Sequence, residues 1–99
     1  MSLLVHYTLK SADHHDQQIQ AMTTFVEALK AEQILGLNYS CFSTDDPTRF
    51  VGVLEFPDDA TKDAFLASKA FAAYRETVGP IFANPPEASA MSAIATTRA

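Results

Sequence analysis

The sequence predicts an α+β fold in which a strand–helix–strand unit occurs twice, giving the element order βαββαβ. Two observations predict this order. Apolar residues alternate in four short segments, and they recur at helical spacing in two longer ones. Pro, Gly and Asp residues separate the segments, and 99 residues are enough for one domain. The sequence therefore predicts a single domain over residues 1–99, a ferredoxin-like four-stranded antiparallel sheet with both helices on one face.

The first unit begins with a strand over residues 3–9, which are rich in Leu, Val, Tyr and Thr. Residues 11–13 supply candidate N-caps for a helix, and Gly36 is the candidate for its C-terminal end. Residues 37–43 alternate again and predict the second strand. The helix has an apolar stripe that is expected to face the sheet: Ile19, Met22, Phe25, Val26 and Leu29.

The second unit follows a turn at residues 44–48, whose Asp and Pro residues indicate a hairpin. Residues 49–56 predict the third strand, the most apolar of the four. Asp58 and Asp59 are candidate caps of a second helix that bends near Ser68 and ends before Gly79 and Pro80. A weakly patterned strand over residues 88–97 completes the predicted sheet.

Charge and composition exclude several classes of protein. The formal net charge is −5 and the seven Lys and Arg residues are scattered, which argues against a nucleic-acid-binding surface. No apolar run approaches the roughly 20 residues of a membrane span, and the N-terminus lacks the pattern of a signal peptide. Cys41 is the single cysteine, so no internal disulfide is expected. We expect a soluble protein of the cytoplasm.

The two central strands predict a partner. In this arrangement the first and third strands lie in the middle of the sheet, and both carry apolar residues on both faces. The helices of the same chain cover one face only, which would leave an apolar patch on the other. We therefore expect a homodimer in which two sheets pack about a two-fold axis. The alternative is a monomer whose second face is covered by residues 81–86 and the C-terminal tail.

No established catalytic motif occurs in the chain. His6, in the middle of a central strand, is the candidate general base if its imidazole faces an enclosed cavity, and a structural histidine otherwise. Tyr74 is a candidate hydroxyl donor for the same chemistry. His14 and His15 are adjacent on a helix start and point about 100° apart, so they make a poor chelating pair and predict no metal site.

Four further residues are candidates for binding a substrate. Tyr39 would offer a hydroxyl group, and Arg49 and Arg75 would offer a fixed positive charge to an anionic oxygen. Phe65 has the spacing of a core residue, and it would also serve as an aromatic wall. Each of these residues has a purely structural alternative, and Cys41 is most simply a small buried apolar residue.

Two stretches carry a resemblance to a known family. Residues 56–60 (Phe-Pro-Asp-Asp-Ala) and residues 65–71 (Phe-Leu-Ala-Ser-Lys-Ala-Phe) resemble a strand-end aromatic, an acidic turn and a Ser-x-x-Phe-like bend. With the element order, they make the chain similar to the dimeric α/β-barrel superfamily and, within it, to the antibiotic-biosynthesis monooxygenase family. Leu54 and Phe56 stand where that family often has Glu-x-Trp, and Ala70 stands where it often has His.

The resemblance implies a homodimer whose two sheets close into a barrel, with a pocket between each sheet and its own helices. It also implies oxygenation of phenolic or quinol-like aromatics by molecular oxygen, without a metal, a flavin or any other cofactor. The haem-degrading branch is not implied, because Phe65 and Arg75 occupy positions of its Asn, Trp and His trio. Proton transfer would then fall to His6 or to a tyrosine.

Three functions are compatible with the sequence. The first is a cofactor-independent monooxygenase that acts on a small phenol- or quinol-like compound. The second is a non-catalytic dimeric barrel that binds a small hydrophobic ligand or supports a partner. The third is an isomerase or lyase of the same superfamily, which would need acid and base residues but no oxygen. Oxygen uptake with quinols would separate the first function from the other two.

Overall fold

The computed structural model describes residues 1–98 and has the predicted element order, with the second helix divided into two. The elements are β1 (Ser2–Thr8), α1 (His15–Ala31), β2 (Asn38–Ser43), β3 (Arg49–Glu55), α2 (Asp59–Leu66), α3 (Lys69–Val78) and β4 (Glu87–Met91). The strands form one antiparallel sheet in the order β2-β3-β1-β4, so that β1 and β3 are central. The ferredoxin-like fold predicted from the sequence is thereby confirmed.

Short polar side chains begin the helices. Ser11 Oγ accepts a hydrogen bond from the backbone N–H of Asp13, 3.1 Å away, and starts a 3-10 turn that leads into α1. The Asp58 carboxylate accepts from the backbone N–H of Thr61 at 2.8 Å, and this bond lowers the pKa of Asp58. Ser68 Oγ caps α3 in the same way, so the predicted bend is a true break between two helices.

Two predicted boundaries were wrong. Helix α1 ends at Ala31 and not near Gly36, because Gln33 adopts a left-handed backbone conformation (φ 52°) that a helix cannot contain. Gly36 serves the following turn instead, with φ 80°. Strand β4 ends at Met91 rather than at residue 97. Met91 pairs with Ser2 at the start of β1, so later residues have no strand to pair with.

The apolar stripe of α1 was predicted with one error. The buried residues are Gln18, Met22, Phe25 and Leu29, whereas Ile19 remains 44% exposed. The buried positions repeat at helical spacing, and a glutamine occupies one of them because its amide has a partner beneath the helix. No helix within residues 1–98 is both long enough and apolar enough to span a membrane.

The two faces of the sheet differ. Tyr7, Phe50 and Leu54 point toward the helices and are buried. On the opposite face Val53 is only partly covered and Phe42 is 54% exposed. The protomer therefore buries one face of its sheet and leaves several apolar side chains of the other face accessible.

Candidate functional site

A cavity of about 640 Å³ lies between the sheet and α2 and α3. Its wall is built mostly from aromatic and aliphatic side chains, with few polar groups, as is typical of sites for small molecules. The segment of residues 82–86, between α3 and β4, forms one side. The aromatic residues of the wall are Tyr7, Tyr39, Phe65, Phe71, Tyr74 and Phe82.

Two of the three tyrosines form a hydrogen-bonded pair. Tyr7 Oη and Tyr39 Oη lie 2.5 Å apart, with one hydroxyl donating to the other. Tyr7 comes from β1 and Tyr39 from β2, so the pair spans the strand β3 that lies between them. Since only one of the two protons is used in the pair, the other hydroxyl group keeps a proton that it can donate.

A glycine makes room for this pair. A Cβ atom on Gly52 would lie 2.6 Å from the Tyr39 hydroxyl oxygen and 3.2 Å from two carbons of its ring. Gly52 lies in the middle of β3, where a glycine normally weakens a strand. Its absence of a side chain lets the Tyr39 ring cross the strand and reach Tyr7, which is the close approach that explains a glycine here.

The third tyrosine, Tyr74, contacts two side chains of α1. The Gln18 Nε2 amide donates to Tyr74 Oη at 2.8 Å, and the Gln18 side chain is completely buried. Tyr74 also stacks on Phe25, with ring centroids 4.8 Å apart. Because its oxygen accepts from Gln18, the hydroxyl proton of Tyr74 stays free to be donated to a ligand.

Burial keeps these phenols protonated at neutral pH. It raises the pKa of Tyr7 to about 12, and it raises the pKa of Tyr39 and Tyr74 further above the ordinary value. Burial also raises the pKa of the neighbouring Cys41 thiol to about 11, so that the thiol is not a nucleophile at neutral pH. At neutral pH these hydroxyl groups therefore carry protons that they can donate in hydrogen bonds.

Gln18 supports a prediction about stability. Its Oε1 atom is buried without a hydrogen-bond partner among the described residues. In Gln18→Met the loss of the bond to Tyr74 (about 1 kcal/mol) is at least offset by removal of this unpaired carbonyl (about 1–3 kcal/mol). The free energy of unfolding should therefore stay the same or rise by up to about 2 kcal/mol. Gln18→Ala leaves a cavity and should cost about 2–4 kcal/mol. Urea denaturation of both variants checks this, and equal losses would contradict it.

The structure brings four of the six predicted site residues to one cavity. Tyr39, Phe65, Tyr74 and Arg75 all line it. Arg49 does not; its side chain is exposed at the hairpin and lies 3.6 Å from the Asp46 carboxylate. The two arginines therefore do not act on one ligand in this cavity.

His6 lies outside the cavity, which corrects its pairing with Tyr74. Successive side chains of a strand point to opposite faces, and Tyr7 points toward the helices. His6 consequently lies on the opposite, exposed face, paired across the sheet with Val51 and Glu87. No proton transfer in the cavity is assigned to His6.

Sequence reasoning missed several residues of the cavity wall, Tyr7 and Lys10 among them, and it missed Gln18 behind Tyr74. Tyr7 shares the apolar alternation of β1 and is indistinguishable there from a core residue. Gln18 resembles a solvated helix residue, and its one signal is its helical spacing from Met22 and Phe25. Nothing in the sequence reveals that these side chains meet tyrosines of other elements.

His15, the second of the two histidines at the start of α1, has a structural role. His15 Nδ1 lies 2.8 Å from the Pro47 carbonyl oxygen, to which it donates, and its ring stacks on Phe50 at 5.2 Å. This contact fastens the helix start to the β2–β3 hairpin. Within residues 1–98 no group of three or more His, Cys, Asp or Glu side chains is arranged to hold a metal ion.

Comparisons with known proteins find similarity in structure and not in sequence. No protein-family model matches the chain. No curated protein matches it by sequence.

The solved structures that resemble the chain include three described as monooxygenases. An antibiotic biosynthesis monooxygenase superimposes with a TM-score of 0.81 at 22% identity, covering 95% of this chain and 98% of that chain. A candidate antibiotic biosynthesis monooxygenase from Nitrosomonas europaea gives 0.81 at 21% identity, with coverage of 96% and 100%. Another, from Bacteriodes thetaiotaomicron VPI-5482, gives 0.80 at 14% identity, with coverage of 100% and 93%. The chain therefore has the protomer fold of antibiotic biosynthesis monooxygenase-like proteins.

Proposed function

We propose that this protein is a cofactor-independent monooxygenase that oxidises a small phenol- or quinol-like compound. The observation that carries the proposal is the aromatic cavity, whose wall includes all three tyrosines, Tyr7, Tyr39 and Tyr74, within a monooxygenase-like fold. A ring of two or three fused cycles fits a cavity of this volume. Aromatic walls favour a flat apolar ligand through stacked and edge-to-face contacts.

In the proposed reaction the ligand supplies the electrons. A phenol that loses its proton becomes an electron-rich phenolate, which reduces dioxygen to a bound peroxide at a ring carbon. Loss of water then leaves a quinone, so one oxygen atom of dioxygen enters the product and the other leaves as water. The ligand supplies all four electrons that reduce dioxygen, and its ring loses two hydrogens. The apolar wall would admit dioxygen and exclude bulk water from this intermediate.

The tyrosines would favour the ionised ligand. No carboxylate or imidazole from residues 1–98 lines the cavity, so a side-chain base of the usual kind does not face the ligand. The free hydroxyl protons of Tyr74 and of the Tyr7–Tyr39 pair would instead donate to the ligand oxygen. Hydrogen bonds to a charged form lower its pKa, and donors aimed at a developing oxyanion lower the barrier.

Oxygen uptake by Tyr74→Phe tests the proposal. With a panel of naphthols and naphthohydroquinones, we expect the variant to lose about tenfold or more of kcat/KM, since one oxyanion donor is removed. His6→Ala should keep the wild-type rate, because His6 lies on the other face of the sheet. An oxygen electrode measures both, with protein-free autoxidation subtracted. Ligand binding without oxygen uptake by the wild type would contradict the monooxygenase function.

The second candidate function is binding of a hydrophobic ligand without turnover. The absence of a carboxylate or imidazole from the wall formed by residues 1–98 favours it specifically. A binding protein needs the apolar wall and the oriented donors but no base. The same observation lowers the case for an isomerase or lyase, whose chemistry requires acid and base residues at the ligand.

We also propose that the protein assembles as a homodimer through the open face of its sheet. Leu4, Val51 and Val53 lie on the central strands β1 and β3 and are only partly covered by their own chain, while Phe42 on β2 is more exposed. Their side chains form one apolar patch on neighbouring strands, since Leu4 pairs with Val53 and Val51 with Phe42. A second copy would cover the patch by packing sheet against sheet.

A further inference from the structure

Within the described part of the chain, some of the positively charged side chains have a carboxylate partner and others do not. Four of the seven Lys and Arg side chains have a carboxylate within 4.0 Å: Lys30, Arg49, Lys62 and Arg98. Lys10, Lys69 and Arg75 have no such partner among residues 1–98. Two of these three, Lys10 and Arg75, line the cavity.

The cavity is positive within a negative protein. The chain carries a formal charge of −5 with twelve Asp and Glu residues, yet none of those within residues 1–98 lines the cavity. Lys10 and Arg75 are the charged groups that the described residues place in its wall. A local field of this sign attracts an anion and opposes a cation.

The position of the charges divides the cavity into two parts. Tyr7 and Tyr74 are buried, whereas Lys10 and Arg75 are exposed, so the hydroxyl groups lie inside and the cations lie at the mouth. The guanidinium carbon of Arg75 lies 4.9 Å from the centre of the Phe71 ring. A cation–π contact restrains the guanidinium group and leaves its N–H donors available for a carboxylate.

We infer that the ligand of this cavity is an aromatic hydroxy acid, with its hydroxyl group among the tyrosines and its carboxylate at Arg75 and Lys10. The inference rests on the proposed function for the hydroxyaromatic end of the ligand. The carboxylate of the ligand is inferred separately, from the positive charges of Lys10 and Arg75 in the cavity wall. The inference narrows the proposed substrate class from any phenol or quinol to a compound that carries a negative group at the end opposite its reactive ring.

A matched pair of ligands tests the charge. 6-Hydroxy-2-naphthoate and 6-hydroxy-2-naphthamide share a ring system, a hydroxyl group and nearly the same volume, and they differ in charge. By isothermal titration calorimetry at low salt, the wild type should bind the naphthoate about tenfold more tightly. The preference should fall in about 1 M NaCl, where the Debye length is about 3 Å.

Three variants test whether the preference for the naphthoate over the naphthamide arises from the charges in the cavity. Arg75→Gln should reduce it to about twofold or less, and Lys10→Gln should reduce it by a smaller factor, because a lysine offers a point charge and not a planar fork. Lys69→Gln is the matched control, since it removes the same charge from an unpaired cation that does not line the cavity. All three positions are exposed, so the variants should fold as the wild type does.

The outcomes separate this inference from the proposed function. Equal affinity for the two ligands, no binding of either, or an equal loss of preference in Lys69→Gln would overturn the aromatic hydroxy acid. If neutral hydroquinones consume oxygen while the charge preference is absent, the inference fails and the monooxygenase stands. If the naphthoate binds with the expected preference but no hydroxyaromatic is oxidised, the inference stands and the monooxygenase fails.

Discussion

Gly52→Ala should lower the free energy of unfolding by about 1–3 kcal/mol, the usual cost of forcing an extra methyl group into a packed site. An alanine normally gains about 0.4–1 kcal/mol over glycine where the backbone permits it. The steric cost should exceed that gain here, because the new Cβ would lie 2.6 Å from the Tyr39 hydroxyl oxygen. Tyr39 would have to move away, and the Tyr7–Tyr39 hydrogen bond would break.

A second substitution identifies the contact responsible. Tyr39→Phe removes the closest atom and leaves the ring carbons at 3.2 Å, so Gly52→Ala should cost about 1 kcal/mol less in the Tyr39→Phe background than in the wild type. Gly79→Ala is the matched control, since Gly79 has a helical backbone (φ −47°) and a Cβ there would meet nothing within 4 Å. Urea denaturation of the variants measures these differences. A neutral Gly52→Ala would contradict the close packing of Tyr39 on β3.

Val53→Lys should weaken the proposed homodimer by about a hundredfold or more while leaving the protomer folded. Val53 lies on the central strand β3, on the face that the helices do not cover. In the protomer a lysine there would reach water, but between two packed sheets it would be an unpaired buried charge that costs several kcal/mol. Each 1.4 kcal/mol is about tenfold in the dissociation constant.

Sedimentation equilibrium and circular dichroism measure the two halves of this prediction. The wild type should sediment as a dimer and Val53→Lys as a monomer with an unchanged far-ultraviolet spectrum. Leu35→Lys is the matched control, because Leu35 is 89% exposed and lies outside the sheet. It adds the same charge and should remain a dimer. A monomeric wild type would exclude the homodimer, and a dimeric Val53→Lys would place its interface elsewhere.

The local parts of the fold were predictable because their causes are local. A period of two or of 3.6 residues marks strands and helices, and Asp58 and Ser68 cap helices through bonds to residues three positions ahead. The errors arose where a distant part of the chain intervenes. Strand β4 is short because β1 offers it no further partner, and Gln18 is buried because Tyr74 lies beneath it.

The candidate site was predictable only in part: the sequence singled out four of its residues, but not Tyr7 or Lys10 and not their arrangement. Tyr39, Phe65, Tyr74 and Arg75 carry side chains suited to binding an aromatic anion, and the sequence alone singled them out. It also favoured His6 and Arg49, since an imidazole or a guanidinium group has suitable chemistry wherever it points. The residue type determines which chemistry a side chain can perform. Whether the side chain lines the cavity depends on the face of the sheet or helix from which it projects.

By itself, the amino-acid sequence determined the order of the elements, their caps and the doubly apolar central strands. Only the tertiary structure decided that Tyr7 and Tyr39 meet over Gly52 and that Tyr74 rests on Gln18. It also decided that Tyr7 enters the cavity while His6, one residue before it, does not. The physical reason is that hydrophobic periodicity depends on residues close together in the sequence. A cavity is formed by residues that come together only when the sheet and the helices pack.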